Sequence, residues 1–186
     1  MAHRVCPWWI GYLLASPIRK WIGQDPDAIL SPYVRKGMAV LEPGPGMGFF
    51  TVPLGRLVGS SGRVIAVDMQ PKMIEGLKRR AAKAHVLDRI DARVTSAETM
   101  GVGDLEGNVD FVLAFATVHE FPDAARFFAE AAQALKTEGT LLLAEPRGHV
   151  PDHAFDRELA AAAAVGLAPT AKPVISRSHA ALLTKG

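Results

Sequence analysis

Short apolar runs alternate along the chain with longer stretches in which apolar residues recur at helical spacing. The short runs are rich in aliphatic and β-branched residues, which predicts strands at residues 38–42, 63–68, 92–95, 109–115 and 140–144. The run at 109–115 (VDFVLAF) has almost no polar alternation, as expected for a strand that is covered on both faces.

The stretches between the runs are predicted to be helical over residues 49–58, from Pro71 onward, and over residues 123–136 and 158–165. Residues 174–176 and 180–184 are predicted to form a closing hairpin. Strands that alternate with helices build a mostly parallel sheet with helices on both faces. The pattern therefore predicts a doubly wound α/β fold, to which the hairpin adds one antiparallel strand.

The first 32 residues differ from this pattern. They contain Trp8 and Trp9, and their apolar residues Ile10, Leu13, Leu14 and Ile18 recur at near-helical spacing, which predicts a helical cap over a core of residues 33–186. Three roles remain open for this cap: a packing helix, a lid over a bound ligand, or a helix that contacts a membrane surface. Its apolar run, residues 5–18, is too short to cross a bilayer.

Composition narrows the class of protein. The 186 residues carry 21 basic and 19 acidic side chains, a formal charge of +2, so no strong field for nucleic acid is expected. Cys6 is the single cysteine, which excludes an intramolecular disulfide and favours a cytoplasmic location. His3 and Cys6 provide only two metal ligands, and we predict no metal site.

A glycine-rich turn follows the first predicted strand. Residues 42–48 read EPGPGMG, and glycines allow both a sharp bend and the close approach of a ligand to the backbone. The second predicted strand ends in Asp68, a carboxylate placed to accept hydrogen bonds from ribose hydroxyls. Strand, glycine turn, helix, strand and acid in this order predict a cofactor that contains adenosine.

The spacing of the turn separates two kinds of cofactor. Dinucleotide-binding turns read G-x-G-x-x-G, whereas here the third glycine comes one residue early and Glu42 precedes the first glycine by two residues. A carboxylate at that place repels a pyrophosphate but suits an ammonium group and a sulfonium centre. An NAD-dependent oxidoreductase is therefore the less favoured alternative.

Residues 40–48 (VLEPGPGMG), with Val67–Asp68 and residues 110–113 (DFVL), resemble the Rossmann-like class I S-adenosylmethionine-dependent methyltransferases. The resemblance runs from about Tyr33 to the C-terminus and is greatest to small-molecule methylases of the ubiquinone/menaquinone C-methylase type. It implies a seven-stranded sheet, S-adenosylmethionine as methyl donor and a small-molecule acceptor.

The resemblance also implies roles for individual residues. Gly44 and Gly46 would face the methionine part, with Glu42 holding its ammonium group directly or through water. Asp68 would bind the ribose. The remaining implied contacts are Met69 on the adenine ring, Ala97 and Glu98 at the adenine amine, and Phe115 with Ala116 beside the methyl donor.

Methyl transfer needs a base only when the attacking group arrives protonated. His119 follows the fourth predicted strand and has a suitable intrinsic pKa, which makes it the candidate catalytic residue, with a purely structural hydrogen bond as the alternative. Glu145, after the fifth strand, is either a base or a helix cap. Because this superfamily has no obligatory catalytic side chain, a non-catalytic protein that binds adenosylmethionine remains an alternative.

Overall fold

The computed structural model of this chain describes residues 24–186. Its helices are α1 (Pro26–Leu30), α2 (Thr51–Val58), α3 (Pro71–Lys83), α4 (Ala124–Ala134) and α5 (Asp152–Ala164). Its strands are β1 (Ala39–Pro43), β2 (Arg63–Asp68), β3 (Ile90–Val94), β4 (Val109–Phe115), β5 (Leu135–Pro146), β6 (Leu167–Ala171) and β7 (Ser178–Lys185).

The strands form one seven-stranded sheet in the order β3-β2-β1-β4-β5-β7-β6. Neighbours from β3 to β5 pair in parallel, whereas β7 pairs antiparallel with both β5 and β6. This confirms the predicted doubly wound α/β fold with one antiparallel strand. The predicted cap at residues 1–32 lies mostly outside the described residues, which include only α1 from that segment.

Apolar layers cover both faces of the sheet. Along β4, Val112 and Ala114 pack with Phe127 and Phe128 of α4 on one face. Phe111 and Leu113 point to the other face, where α2 and α3 contribute Leu54 and Leu77. Burial on both faces explains why β4 reads as a continuous apolar run.

Several boundaries differ from the sequence prediction; for example, α5 begins at Asp152 rather than at residue 158, and β3 begins at Ile90 rather than at residue 92. Helix α4 ends at Ala134 rather than at residue 136, because the carbonyls of Gln133 and Ala134 accept the backbone N–H groups of Gly107 and Asn108. The chain is extended from Leu135, which pairs with Val109, so β5 starts five residues early. The first strand of the closing hairpin is β6, not residues 174–176, where Val174 is fully exposed.

Parallel pairing brings the carboxyl ends of β1, β2, β4 and β5 to one edge of the sheet. Strand order reverses at β1, which lies between β2 and β4, and ligands of open α/β sheets bind beside such a switch point. Within residues 24–186 the longest helices have 13 residues, and none combines the length and apolarity that crossing a bilayer requires.

Candidate active site

The glycine turn after β1 bends through left-handed backbone conformations. Gly44, Gly46 and Gly48 have φ angles of 65°, 53° and 85°, a region that L side chains rarely adopt. A Cβ atom at Gly44 would lie 2.3 Å from Oγ1 of Thr117, so this glycine allows the loop after β4 to approach. At Gly46 no atom lies within 4 Å of that position, and the backbone borders open space.

A cavity of about 310 Å³ lies beside the turn, at the lower end of the range typical for small-molecule sites. Its walls come from the loops that follow β1, β2, β3 and β4. The residues that line it include Gly44, Gly46, Asp68, Met69, Thr95, Ser96, Ala97, Ala116, Thr117, Glu120 and Phe121.

Asp68 contributes a buried carboxylate to this cavity. Its Oδ1 accepts the backbone N–H of Gln70 at 2.8 Å. Burial raises the pKa of Asp68 to about 6, although backbone hydrogen bonds from Gln70 and Gly46 act to lower it. The group is therefore mostly ionised at pH 7 and can accept hydrogen bonds from the hydroxyls of a sugar.

Glu42 lies behind the turn rather than in the cavity wall. It is 3% exposed, and its Oε2 has no hydrogen-bond partner among the described residues. Burial raises its pKa to about 7, with a lowering effect from the Thr51 hydroxyl and a raising effect from the charge of Asp68. A buried carboxylate oxygen without a partner is costly, and a cationic ligand at the turn would satisfy it. The turn thus fits the ammonium group of adenosylmethionine.

Replacing Glu42 by Gln is expected to stabilise the free protein at alkaline pH. The pKa of Glu42 is about 7 in the folded chain, above the value of about 4.3 for an unfolded chain, so stability falls as pH rises between these values. Gln does not ionise, and we expect Glu42→Gln to raise the free energy of unfolding at pH 8 by about 1–3 kcal/mol, with little effect at pH 4.5.

Urea denaturation at the two pH values measures this difference. Glu75→Gln, on the exposed side of α3, is the matched control and should leave the pH dependence unchanged. If the free energy of unfolding of Glu42→Gln had the same pH dependence as that of the wild type, the pKa of Glu42 would not be raised by burial.

The structure brings five of the predicted cofactor residues into the cavity wall: Gly44, Gly46, Asp68, Met69 and Ala97. It does not bring Glu98 there, because the chain turns outward after Ala97 and places Glu98 beside an adjoining cavity of about 210 Å³, which shares Ala97, Phe121 and Pro122 with the first. Ser96 lines the cofactor cavity instead. Phe115 packs on Phe50, with ring centroids 4.4 Å apart, and stays behind the wall.

Sequence reasoning gave no binding role to Thr117 or Glu120, which also line the cavity. Both residues follow β4. His119 was selected because it comes just after the fourth predicted strand, and the same reason applies to Thr117 and Glu120. Ala116, which was expected beside the methyl donor, lies in the wall with a φ angle of 53°.

His119, the predicted catalytic residue, lies in the turn after β4 formed by Val118–Glu120, and its side chain is 23% exposed. It is not among the residues that line the cavity, which include its neighbours Thr117 and Glu120. Its Nδ1 is hydrogen-bonded to Oε2 of Glu145. The other oxygen of Glu145 accepts the backbone N–H groups of Val118 at 2.7 Å and of Thr117 at 3.2 Å. Glu145 is fully buried, so it holds both the turn and the imidazole ring in place.

The charge around His119 is negative. Burial alone would lower the pKa of His119, but the hydrogen bond and charge of Glu145, with the charges of Glu120 and Glu158, raise it above its ordinary value. Because Oε2 of Glu145 accepts a hydrogen bond from Nδ1, the neutral ring carries its proton on Nδ1 and keeps the lone pair of Nε2 for another proton. The same arrangement of imidazole and buried carboxylate serves proton transfer in hydrolases.

In the part of the chain from residue 24 onward, no group of three or more His, Cys, Asp or Glu side chains is arranged to hold a metal ion. His3 and Cys6 lie outside the described residues, so their relation to a metal stays a prediction. The rings of His119 and His149 lie 5.9 Å apart.

This sheet order, with a cavity between a glycine turn and an acid at the end of β2, defines the Rossmann-like S-adenosylmethionine-dependent methyltransferases. The chain belongs to the methyltransferase domain family, whose model matches residues 34–172. Membership of this family sets aside the nicotinamide-dependent alternative.

A solved structure shares the fold over almost the whole chain. The crystal structure of a SAM-dependent methyltransferase from Aquifex aeolicus matches 98% of this chain and 100% of its own, with a TM-score of 0.86 and 19% identity. At that identity the likeness concerns the fold alone.

Two curated relatives match parts of the chain. The probable cobalt-precorrin-6B C(15)-methyltransferase (decarboxylating) of Saccharolobus solfataricus is 44% identical over 57 residues, which cover 31% of this chain and 29% of the relative. The mitochondrial ubiquinone biosynthesis O-methyltransferase of Bos taurus is 35% identical over 108 residues, covering 58% and 28%. The matches thus span less than a third of the length of either relative.

Proposed function

We propose that this protein transfers a methyl group from S-adenosylmethionine to a small-molecule acceptor. The observation that carries the proposal is the pair of carboxylates on either side of the glycine turn. Asp68 lines the cavity, and Glu42 presents a buried oxygen without a partner behind it. A ligand with a sugar and an ammonium group would meet both needs. A simple nucleotide has the sugar but lacks the ammonium group.

The same residues suggest how the cofactor is held. Asp68 would accept the ribose hydroxyls, and Glu42 would pair with the ammonium group directly or through water. The backbone of Gly44 and Gly46 would contact the methionine part, while Met69 and Ala97 would enclose the adenine. Phe115 and Glu98, outside the wall, would act only through their neighbours. When bound, the cofactor supplies a methyl carbon that its positive sulfur activates for attack.

His119 is the proposed catalytic residue. An acceptor hydroxyl, thiol or amine would lose its proton to Nε2 of His119 while its heteroatom forms a bond to the methyl carbon and the carbon–sulfur bond breaks. The electron pair of that bond would go to sulfur and leave a neutral thioether. Glu145 is the positioning residue, because it fixes the ring and stabilises the imidazolium that forms.

The charge of the site narrows the acceptor further. Among the described residues that line the cavity, none is Lys or Arg, whereas Asp68 and Glu120 are acidic. The carboxylates of Asp68 and Glu120 would repel a phosphorylated or carboxylate acceptor that approached this part of the described chain. We therefore infer an uncharged or cationic acceptor that carries an ionisable proton.

Turnover with methyl-labelled S-adenosylmethionine tests this function. The protein is incubated with a panel of small phenols, thiols, amines and carboxylates, with duplex DNA and transfer RNA as further arms, and S-adenosylhomocysteine is quantified. We expect product with uncharged or cationic acceptors and none with carboxylates or nucleic acids. Cofactor binding without turnover in any arm would support the non-catalytic alternative, and absence of binding would refute the proposal.

A further inference from the structure

Residues 95–101 form a loop after β3 that lines the cofactor cavity and lies outside the sheet. Thr95, Ser96 and Ala97 of this loop are in the cavity wall, and Ala97 also borders the adjoining cavity. Loops are more mobile than the elements they connect, unless other contacts hold them. The shape of the cavity on this side therefore depends on what fixes the two ends of the loop.

Each end of this loop is bound to a different element. At its start, the backbone N–H of Thr95 donates a hydrogen bond of 3.0 Å to the carbonyl of Asp68, at the end of β2. Near its end, the Thr99 hydroxyl and the Met100 backbone N–H both donate to Oε2 of Glu130 on α4, over 3.0 Å and 2.7 Å. Glu130 thus ties the end of the loop to α4.

The side chain of Glu130 is itself held in place. It is 18% exposed, and its Oε1 accepts a hydrogen bond of 3.2 Å from Nε of Arg126, one turn earlier on α4. On the loop side, Oγ1 of Thr99 also accepts the N–H of Gly101 at 3.0 Å, where the backbone is left-handed with a φ angle of 64°. Met100 is 1% exposed. These contacts define one conformation for the end of the loop.

The function proposed above gives Glu130 no role, since it borders the adjoining cavity rather than the cofactor cavity. We infer that Glu130 is a positioning residue for the methyl donor, which keeps the loop in the conformation that places Ser96 and Ala97 in the cavity wall. The identity of the ligand rests on the proposed function, whereas the hydrogen bonds of Glu130 to the loop do not. Without these bonds the loop spends a smaller fraction of time in the binding-competent conformation, and the apparent affinity falls by the same factor.

Calorimetric titration with S-adenosylhomocysteine tests this inference. Glu130→Ala removes both bonds to the loop, and we expect it to weaken binding by about 5- to 50-fold, within the usual range for coupling between a site and a residue outside it. Glu130→Gln keeps one carbonyl oxygen for Thr99 and Met100 and should bind with close to the wild-type Kd. Arg126→Gln is the matched control. It breaks the bond of Glu130 within α4, leaves both bonds to the loop, and should also bind as the wild type does.

The outcomes separate this inference from the proposed function. A wild-type protein that binds no S-adenosylhomocysteine would refute the proposed function and, with it, this role of Glu130. Wild-type binding with an equal Kd in Glu130→Ala, or a Glu130→Gln variant as weak as Glu130→Ala, would overturn the inference alone. With an active acceptor, Glu130→Ala should raise KM for S-adenosylmethionine and leave kcat unchanged, because the loop acts on binding and not on the transfer step. A lower kcat with an unmoved KM would also overturn it.

Amide hydrogen exchange in the wild-type protein keeps the test independent of whether the variants fold. If the loop and the cofactor are coupled, S-adenosylhomocysteine must stabilise the bond from the Met100 N–H to Glu130 as much as that bond favours binding. We expect the ligand to slow exchange at Met100 more than at Gly107, whose N–H donates to the carbonyl of Gln133 at the other end of α4. Equal slowing at the two amides would contradict the inference.

Discussion

Replacing His119 by Asn is expected to lower kcat by about 10²- to 10⁴-fold with an acceptor that arrives protonated, the usual contribution of a general base. Asn keeps a hydrogen-bond donor for Glu145 but has no basic nitrogen. The turn of Val118–Glu120, which two backbone hydrogen bonds to Glu145 hold, should therefore remain in place. Steady-state production of S-adenosylhomocysteine measures the loss.

The control for this variant is His153→Asn, which changes an exposed histidine at the start of α5. It should leave kcat unchanged, and both variants should bind S-adenosylhomocysteine as tightly as the wild type in calorimetry. Full activity of His119→Asn would show that the bond to Glu145 is purely structural. An equal loss of cofactor affinity would show that His119 helps to form the cavity rather than to accept a proton.

Replacing Asp68 by Asn is expected to weaken the binding of S-adenosylhomocysteine by about 10- to 100-fold. Hydrogen bonds to a charged group contribute about 1.5–3 kcal/mol, and each 1.4 kcal/mol corresponds to a tenfold change in Kd. Asn has the shape of Asp and can still accept the backbone N–H of Gln70, so the turn after β2 should keep its conformation.

Isothermal titration calorimetry measures the change for Asp68→Asn. Asp88→Asn, an exposed carboxylate between α3 and β3, serves as the control and should bind with the wild-type Kd. If Asp68→Asn also bound with the wild-type Kd, the carboxylate would be a cap for the start of α3 and not a ligand for the ribose.

The sequence predicts the bounds of a strand best when the strand is buried to a similar degree along its whole length. Strands β2 and β4 have the predicted bounds, because both are buried on their two faces and their apolar runs start and stop with the strand. The predicted end of α4 was wrong because the last carbonyls of the helix accept hydrogen bonds from the backbone N–H groups of Gly107 and Asn108. These two residues precede the helix by more than fifteen positions. A window of local sequence does not contain such a partner.

The same distinction applies to the site. Glu42, the glycine turn and Asp68 follow one another along the chain, and their order was sufficient to predict a cofactor cavity. The sequence also predicted that α5 begins at Glu158, which lies in the middle of the observed helix. The hydrogen bond between His119 and Glu145 joins residues that are 26 positions apart in the sequence. That contact between the imidazole and a buried carboxyl group depends on how the strands pair in the sheet, and it became visible only in three dimensions.

The most direct test is a crystal structure of the protein with S-adenosylhomocysteine. The ribose hydroxyls should lie within hydrogen-bonding distance of the Asp68 carboxylate, and the amino group should be paired with Glu42, directly or through one water. If the nucleoside lies elsewhere, or the protein's own side chains close the space beside Gly46, then the glycine turn does not bind the methyl donor and the proposed function is wrong.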